Sequence, residues 1–296
     1  MIRLALLLSL TAAPLFAQKS AAKFRWVNPV PPRLAGEDLL HGTFDSAIAG
    51  EPVGYCVLLP PAYAAEPDRR FPVAYYLHGG RPGSETKGLG IVPTLREEFA
   101  AGAEPVLYVF VNGGPVSHYN VPTTGDRPDA VRGRDVFLDE LIPHVDATYR
   151  TIADRKHRGL EGFSQGGRGT ARIGFDRPDL FASIAPGGAG FGPERRIRDN
   201  AGEERPGLVF APGDDAWSAL ERYAAREDGP KVAVCVWVGT KGFNYGTNRE
   251  FMAGMDRLGV PHTAVVMDGA KHSATQIYAA EGRRLMDFHA AAFAAD

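Results

Sequence analysis

The stretch 159–169, Gly-Leu-Glu-Gly-Phe-Ser-Gln-Gly-Gly-Arg-Gly, narrows the possible folds more than any other part of the chain. Residues 157–163 before the serine fit a short buried strand. Residues 166–175 after it are small enough for a helix lying close on a sheet, and Asp176-Arg177-Pro178 stops that helix. A strand that passes at once into a helix needs glycine wherever a side chain would strike the neighbouring strand. Gly162 and Gly166 stand at those places, and Ser164 is left at the apex of a strained turn with its hydroxyl toward a cleft.

The rest of the chain supplies a sheet for that turn. Residues 41–47 and 53–59 read as the first two strands, with Gly50 between them. Runs 72–77, 106–111 and 232–238 are almost wholly apolar, as in strands covered on both faces. Shorter strands are expected at 181–185 and 263–267. Helical spacing marks 92–101, 135–149 (with Pro143 expected to kink or divide it), 217–226, 247–258 and 275–293. Thr247-x-x-Glu250 has the form of a capping box for the fourth of these. Segment 189–230 is otherwise charged and irregular, and 117–134 is a polar loop that could form a cleft rim. The alternation predicts an α/β fold: a mostly parallel central sheet, helices on both faces, antiparallel strands at the start. Ligands bind beyond the carboxyl ends of such strands.

Composition limits the function classes. The chain has 296 residues and a net charge of −2, so no basic field points to nucleic acid or an anionic membrane. Residues 1–17 combine one arginine, an apolar core too short to span a bilayer and a small residue before the expected cut, which reads as a signal peptide. The mature protein is then expected outside the cytoplasm, periplasmic or secreted, with no membrane span. Residues 18–40, with Pro29, Pro31 and Pro32, read as an extended lead-in on the surface, and 41–296 as one domain. Cys56 and Cys235 each fall in an apolar strand and read as buried thiols rather than a bridge. No Cys/His spacing suits zinc, and no acidic loop suits calcium.

A serine hydroxyl needs a base within hydrogen-bond reach and, as a rule, a carboxylate to orient that base. Of the eight histidines only His262, His272 and His289 follow Ser164. His262 precedes the last strand and His289 lies deep in the closing helix, so His272, just beyond the strand end, is the expected base. The N–H of Gln165 is one expected oxyanion donor; the second falls to Gly79 or Gly80 after His78. Tyr119 and Trp217, with Phe243 and Tyr245, are aromatic residues near strand ends that could stack on a sugar or phenolic ring.

Leu77-His78-Gly79-Gly80, Leu141-Ile142-Pro143, Gly162-Phe163-Ser164-Gln165-Gly166-Gly167, Pro178-Asp179-Leu180-Phe181 and the stretch from Gly239-Thr240-Lys241 to His272-Ser273 resemble the α/β-hydrolase family that includes esterase D, feruloyl and acetylxylan esterases and enterochelin esterase. The resemblance runs from about residue 50 to the end. It implies a cofactor-free serine esterase with Ser164 as nucleophile and His272 as base. Acetyl or feruloyl esters of carbohydrate are the implied substrates, small or polymeric. Acyl transfer on the same fold, or a catalytically inactive carbohydrate-binding module, are the alternatives.

One position departs from that family. Its aspartate usually follows the Gly-Thr that ends the seventh strand, and here Gly239-Thr240-Lys241 leads into Gly242. Asp214 is the first candidate to replace it. Asp215, Asp268 or a Ser–His pair without an acid are the others.

Overall fold

A computed structural model describes residues 24–116, 119 and 132–295. The expected signal peptide lies outside the described residues, as does most of the polar segment 117–134. The strands are β1 Leu39–Ser46, β2 Glu51–Leu58, β3 Val73–Leu77, β4 Leu107–Val111, β5 Arg158–Phe163, β6 Ser183–Gly187, β7 Glu203–Arg205, β8 Leu208–Val209, β9 Ala233–Gly239 and β10 Thr263–Met267. Eight of them form one sheet in the order β1-β2-β4-β3-β5-β6-β9-β10, and β7 pairs with β8 apart from it. In the large sheet β1 and β2 pair antiparallel, as do β2 and β4, and its other pairs are parallel; β7 and β8 are antiparallel. The expected sheet and its antiparallel start are both present.

The central strands are apolar throughout because each feeds two layers. Tyr75 and Leu77 of β3 face one core with Leu160, Ile173, Phe175 and Phe251. Ala74 and Tyr76 face the other with Leu95, Trp237, Ile277 and Leu285. Alternate residues of one strand thus serve opposite faces. Cys56 and Cys235 are buried free thiols, and burial pushes Cys56 up to about 12 and Cys235 to about 11. No described helix is long and apolar enough to cross a membrane.

The helical pattern over 135–149 divides at the proline, as expected: Val136–Leu141 is a π-helical stretch, and Pro143 falls in the first turn of the α-helix Ile142–Thr148. Two local expectations change. Thr247 caps nothing, because the helix Tyr245–Arg257 starts before it and its hydroxyl donates back to Asn244 O at 3.1 Å. The charged segment after β6 holds an unforeseen helix, Phe191–Asp199, whose Glu194 is fully buried.

The lead-in is also less superficial than its prolines suggest. Trp26 and Leu34 are buried in the two cores. Glu85, fully buried in the loop after β3, accepts from Asn28 N at 2.6 Å, Asn28 Nδ2 at 2.9 Å, His41 Nε2 at 3.0 Å and Asn112 Nδ2 at 3.1 Å. One carboxylate therefore ties the lead-in to β1 and to the ends of β3 and β4. Four donors are what a buried carboxylate requires.

Candidate active site

The turn at Ser164 has the geometry its glycines imply. Ser164 sits at φ 60°, ψ −111°, between β5 and the helix Gln165–Asp176. A Cβ on Gly166 would lie 1.8 Å from Leu77 O, so only glycine lets the helix start there. Ser164 N donates to Gly187 O at 2.8 Å, which pins the apex to the end of β6. The strain is held by the sheet on both sides and leaves the hydroxyl half-exposed.

His272 reaches that hydroxyl from the turn after β10. Its Nε2 lies 3.0 Å from Ser164 Oγ. The turn is fixed by Lys241 N donating to Ala270 O at 2.9 Å and by Ser273, whose hydroxyl accepts from Gln276 N at the start of the closing helix. Phe163 and Phe243 flank the imidazole, with ring centroids 4.6 and 4.1 Å away. Gly188 closes a third side: a Cβ there would stand 3.4 Å from His272 Cε1. Burial lowers the pKa of His272, so its ring is neutral, and able to take a proton, over a wider range than a free histidine.

The glycine loop after β3 stands beside the apex. A Cβ on Gly79 would lie 2.9 Å from both Ser164 Cβ and Phe163 O, and Gly80 has φ +73°. Gln165 opens the elbow helix. The three residues expected to offer oxyanion donors thus belong to segments that meet at Ser164. His78 shapes this loop in a way that sequence reasoning missed. Its Nδ1 donates to Gly79 O at 3.1 Å, and its Nε2 accepts from Ser84 N at 3.2 Å and Gly113 N at 3.1 Å. These bonds require the neutral ring, and burial lowers its pKa to about 4. The available signal was a histidine set directly before Gly-Gly at the end of a buried strand.

None of the three proposed acids hydrogen-bonds to His272. Asp214 faces Arg134, whose guanidinium is 3.3 Å away. Asp215 caps the helix Ala216–Ala224, accepting from Trp217 N and Ser218 N at 2.9 Å each. Asp268 accepts from Thr240 Oγ1 at 2.9 Å. Among the described residues no carboxylate bonds to the imidazole, and Gly242 takes the place after Gly-Thr-Lys. The first candidate, Asp214, is thereby corrected: its carboxylate meets Arg134, not His272.

Two aromatic expectations are corrected as well. Trp217 is buried against Phe191 and Phe251, and its indole N–H donates to Phe191 O. Tyr119 is buried beside His78 and abuts Gly113 and Gly169. Neither offers a face to a substrate. Phe243 does, being 79% exposed.

A buried ion network braces the site from below. Glu194 accepts from Arg168 at 2.5 Å and Arg172 at 2.7 Å; Arg168 also reaches Glu204 at 3.1 Å, and Glu204 reaches Arg81 of the glycine loop at 3.3 Å. Burial alone would raise the Glu194 carboxyl, but Arg172 and Arg168 outweigh it and hold it below the usual range. The elbow helix, the unforeseen helix and the glycine loop are thereby locked to one another.

The strand order, the strained serine and the histidine after the last strand define an α/β-hydrolase. The chain belongs to the esterase family described as "Putative esterase", which matches residues 46–257. An esterase of Mycobacterium tuberculosis is 31% identical over 148 residues, covering 50% of this chain and 31% of that protein. An endo-1,4-beta-xylanase/feruloyl esterase of Xylanibacter ruminicola is 28% identical over 155 residues, covering 49% of this chain and 21% of that protein. The chain thus spans less than a third of the length of these curated relatives. Among solved structures, a ferulic acid esterase superposes with a TM-score of 0.69 at 22% identity, covering 86% of this chain and 98% of that one. A fluorophosphonate-binding serine hydrolase of Staphylococcus aureus gives 0.68 at 19%, covering 85% and 97%. Likeness at such identities speaks for the fold.

Proposed function

We propose that the protein hydrolyses carboxylic esters through an acyl-enzyme on Ser164. The observation that carries this reading is the 3.0 Å approach of His272 Nε2 to Ser164 Oγ at the apex of a strained strand-to-helix turn. Oγ attacks the ester carbonyl carbon while Nε2 takes its proton. The carbonyl oxygen becomes an oxyanion, for which the N–H of Gln165 and one from Gly79 or Gly80 are the donors. Collapse breaks the bond to the alcohol, which leaves with the proton from Nε2. Water then repeats the sequence on the acyl-enzyme and frees the acid.

Acetyl or feruloyl esters of carbohydrate are favoured by the family and by a relative whose name joins a xylanase to a feruloyl esterase. Action outside the cytoplasm fits the apolar leader at 1–17. The test is a panel of p-nitrophenyl esters, methyl ferulate and acetylated xylan, run with the parent and Ser164→Ala, alongside labelling by a fluorophosphonate. Hydrolysis that vanishes in Ser164→Ala is expected. Its kcat/KM should fall only below about pH 6.5, because the working form of His272 is neutral and burial lowers its pKa from that ordinary value. A folded parent whose Ser164 takes no label would sink the reading.

A further inference from the structure

We propose that Phe243 is the positioning residue for His272, holding the imidazole against Phe163 by ring contact where no carboxylate among the described residues holds it by hydrogen bond. The inference rests on the reading of His272 as the base. It begins with a mismatch: the hydrogen bond of His272 runs through Nε2 to Ser164, while Nδ1 has no partner among the described residues. A ring held at one nitrogen can swing about that contact. What limits it here is packing.

The two flanking rings are not equivalent. Phe163 is 8% exposed and packs on Trp237, tilted, with ring centroids 5.1 Å apart, so it belongs to the core whatever His272 does. Phe243 is 79% exposed, and its ring contact among the described residues is with His272 alone. A large apolar side chain gains little from so open a place. Yet its backbone is fastened on both sides. Gly242 N donates to Gly239 O at 3.0 Å, Tyr245 N donates to Gly242 O at 2.9 Å, and Asn244 Nδ2 donates to Gly188 O at 2.9 Å. Gly188 is the residue that borders Cε1, so one hydrogen bond joins two walls of the same slot. Residue 242 also lies beside the His272 backbone: a Cβ there would stand 3.6 Å from its N and Cα.

The arrangement suits the chemistry. When Ser164 gives up its proton the imidazole becomes a cation, and the faces of two phenyl rings attract a cation. The clamp keeps Nε2 aimed at Oγ and favours the charged ring without adding a carboxylate. Burial is the one cause of the lowered pKa of His272; no charged group acts on it.

The experiment compares Phe243→Ala, Phe243→Leu and Phe243→Trp in the full chain by two measurements. One is the NMR shift and pH titration of the His272 Cε1–H, which needs no turnover. The other is kcat and KM on p-nitrophenyl acetate. Phe243→Ala should move the resonance downfield as the ring current is lost, lower the titration of His272 as the imidazolium loses a ring face, and lower kcat roughly tenfold with KM little changed, the scale of one cation–π contact. Phe243→Trp should restore both measurements; Phe243→Leu, bulky but without a π face, should not restore kcat. The clamp is refuted if Phe243→Ala leaves the His272 resonance and titration where they were, or if it raises KM alone, which would make the ring a substrate contact. An inactive parent sinks the ester-hydrolysis reading instead, and the resonance still decides the clamp.

Discussion

His78 and His272 stand at two strand ends on the same rim, and burial lowers the pKa of both. They are held in opposite ways. Both nitrogens of His78 are consumed by backbone groups from three places in two loops, and it is 1% exposed. His272 spends one nitrogen on a hydroxyl and is otherwise confined by rings and a glycine. A fully bonded imidazole can only be structure, because any proton it took would break a bond. A half-bonded one is free to cycle its charge. Under the proposed mechanism the same side chain serves as scaffold or as reagent according to what its nitrogens touch.

Exchanging each histidine should separate the two roles. The largest effect is expected from His272→Ala: turnover falls on the order of 10⁵-fold, as when the base of a serine dyad or triad is removed, while the melting temperature stays near that of the parent. Comparable loss of stability would blur the distinction. His78→Ala should act first on stability. It leaves Ser84 N and Gly113 N without an acceptor, at a cost of about 3 kcal/mol in denaturant unfolding.

The His78 contribution also has a pH window. Its ring titrates at about 4 when folded, against about 6.5 unfolded. As pH falls from 6.5 the unfolded chain binds the proton first, so stability is whole above 6.5, declines toward 4 and is lost below. Over that window the parent should lose up to about 3 kcal/mol more than His78→Ala does. Equal slopes would mean that His78 does not stay neutral.

The smallest effect sharpens the contrast by erasing it. Gly242→Asp should bring a carboxylate toward the open ring nitrogen of His272, since a Cβ at 242 would stand 3.6 Å from the His272 backbone N and Cα and 3.1 Å from Gly239 O. Turnover should rise roughly threefold to tenfold and the titration of His272 should move up. An unmoved titration would show that the added acid does not reach.

The parts of this site that could be read in advance were those written into neighbouring residues. Gly162 and Gly166 announced a close approach before any strand was placed, and the apolar runs announced a covered sheet. His272 could be found because it is the one later histidine just past a strand end. What could not be read was where a loop would turn. Asp214 finds Arg134, 80 residues away in sequence, and nothing near Asp214 signals that. Asp215 was legible in principle, since an aspartate before Ala-Trp-Ser at a helix start is an N-cap. Trp217 follows from it, buried as the second residue of that helix. Glu194 was hidden for another reason: a charged stretch looks like surface until Arg168 and Arg172, in a helix far upstream, are known to meet it.

Glu85 sets a boundary for anyone who wishes to shorten the protein from its amino end. A truncation that keeps Trp26 and Asn28 keeps every donor the carboxylate uses. One that starts at β1 strips away two of the four, along with the Trp26 carbonyl that binds Gly54 and Asn112. The stranded carboxylate would then sit in the same loop as Gly79, six residues further on. The proline-rich approach to the first strand is therefore masonry of the catalytic rim, and trimming it would be felt in the cleft.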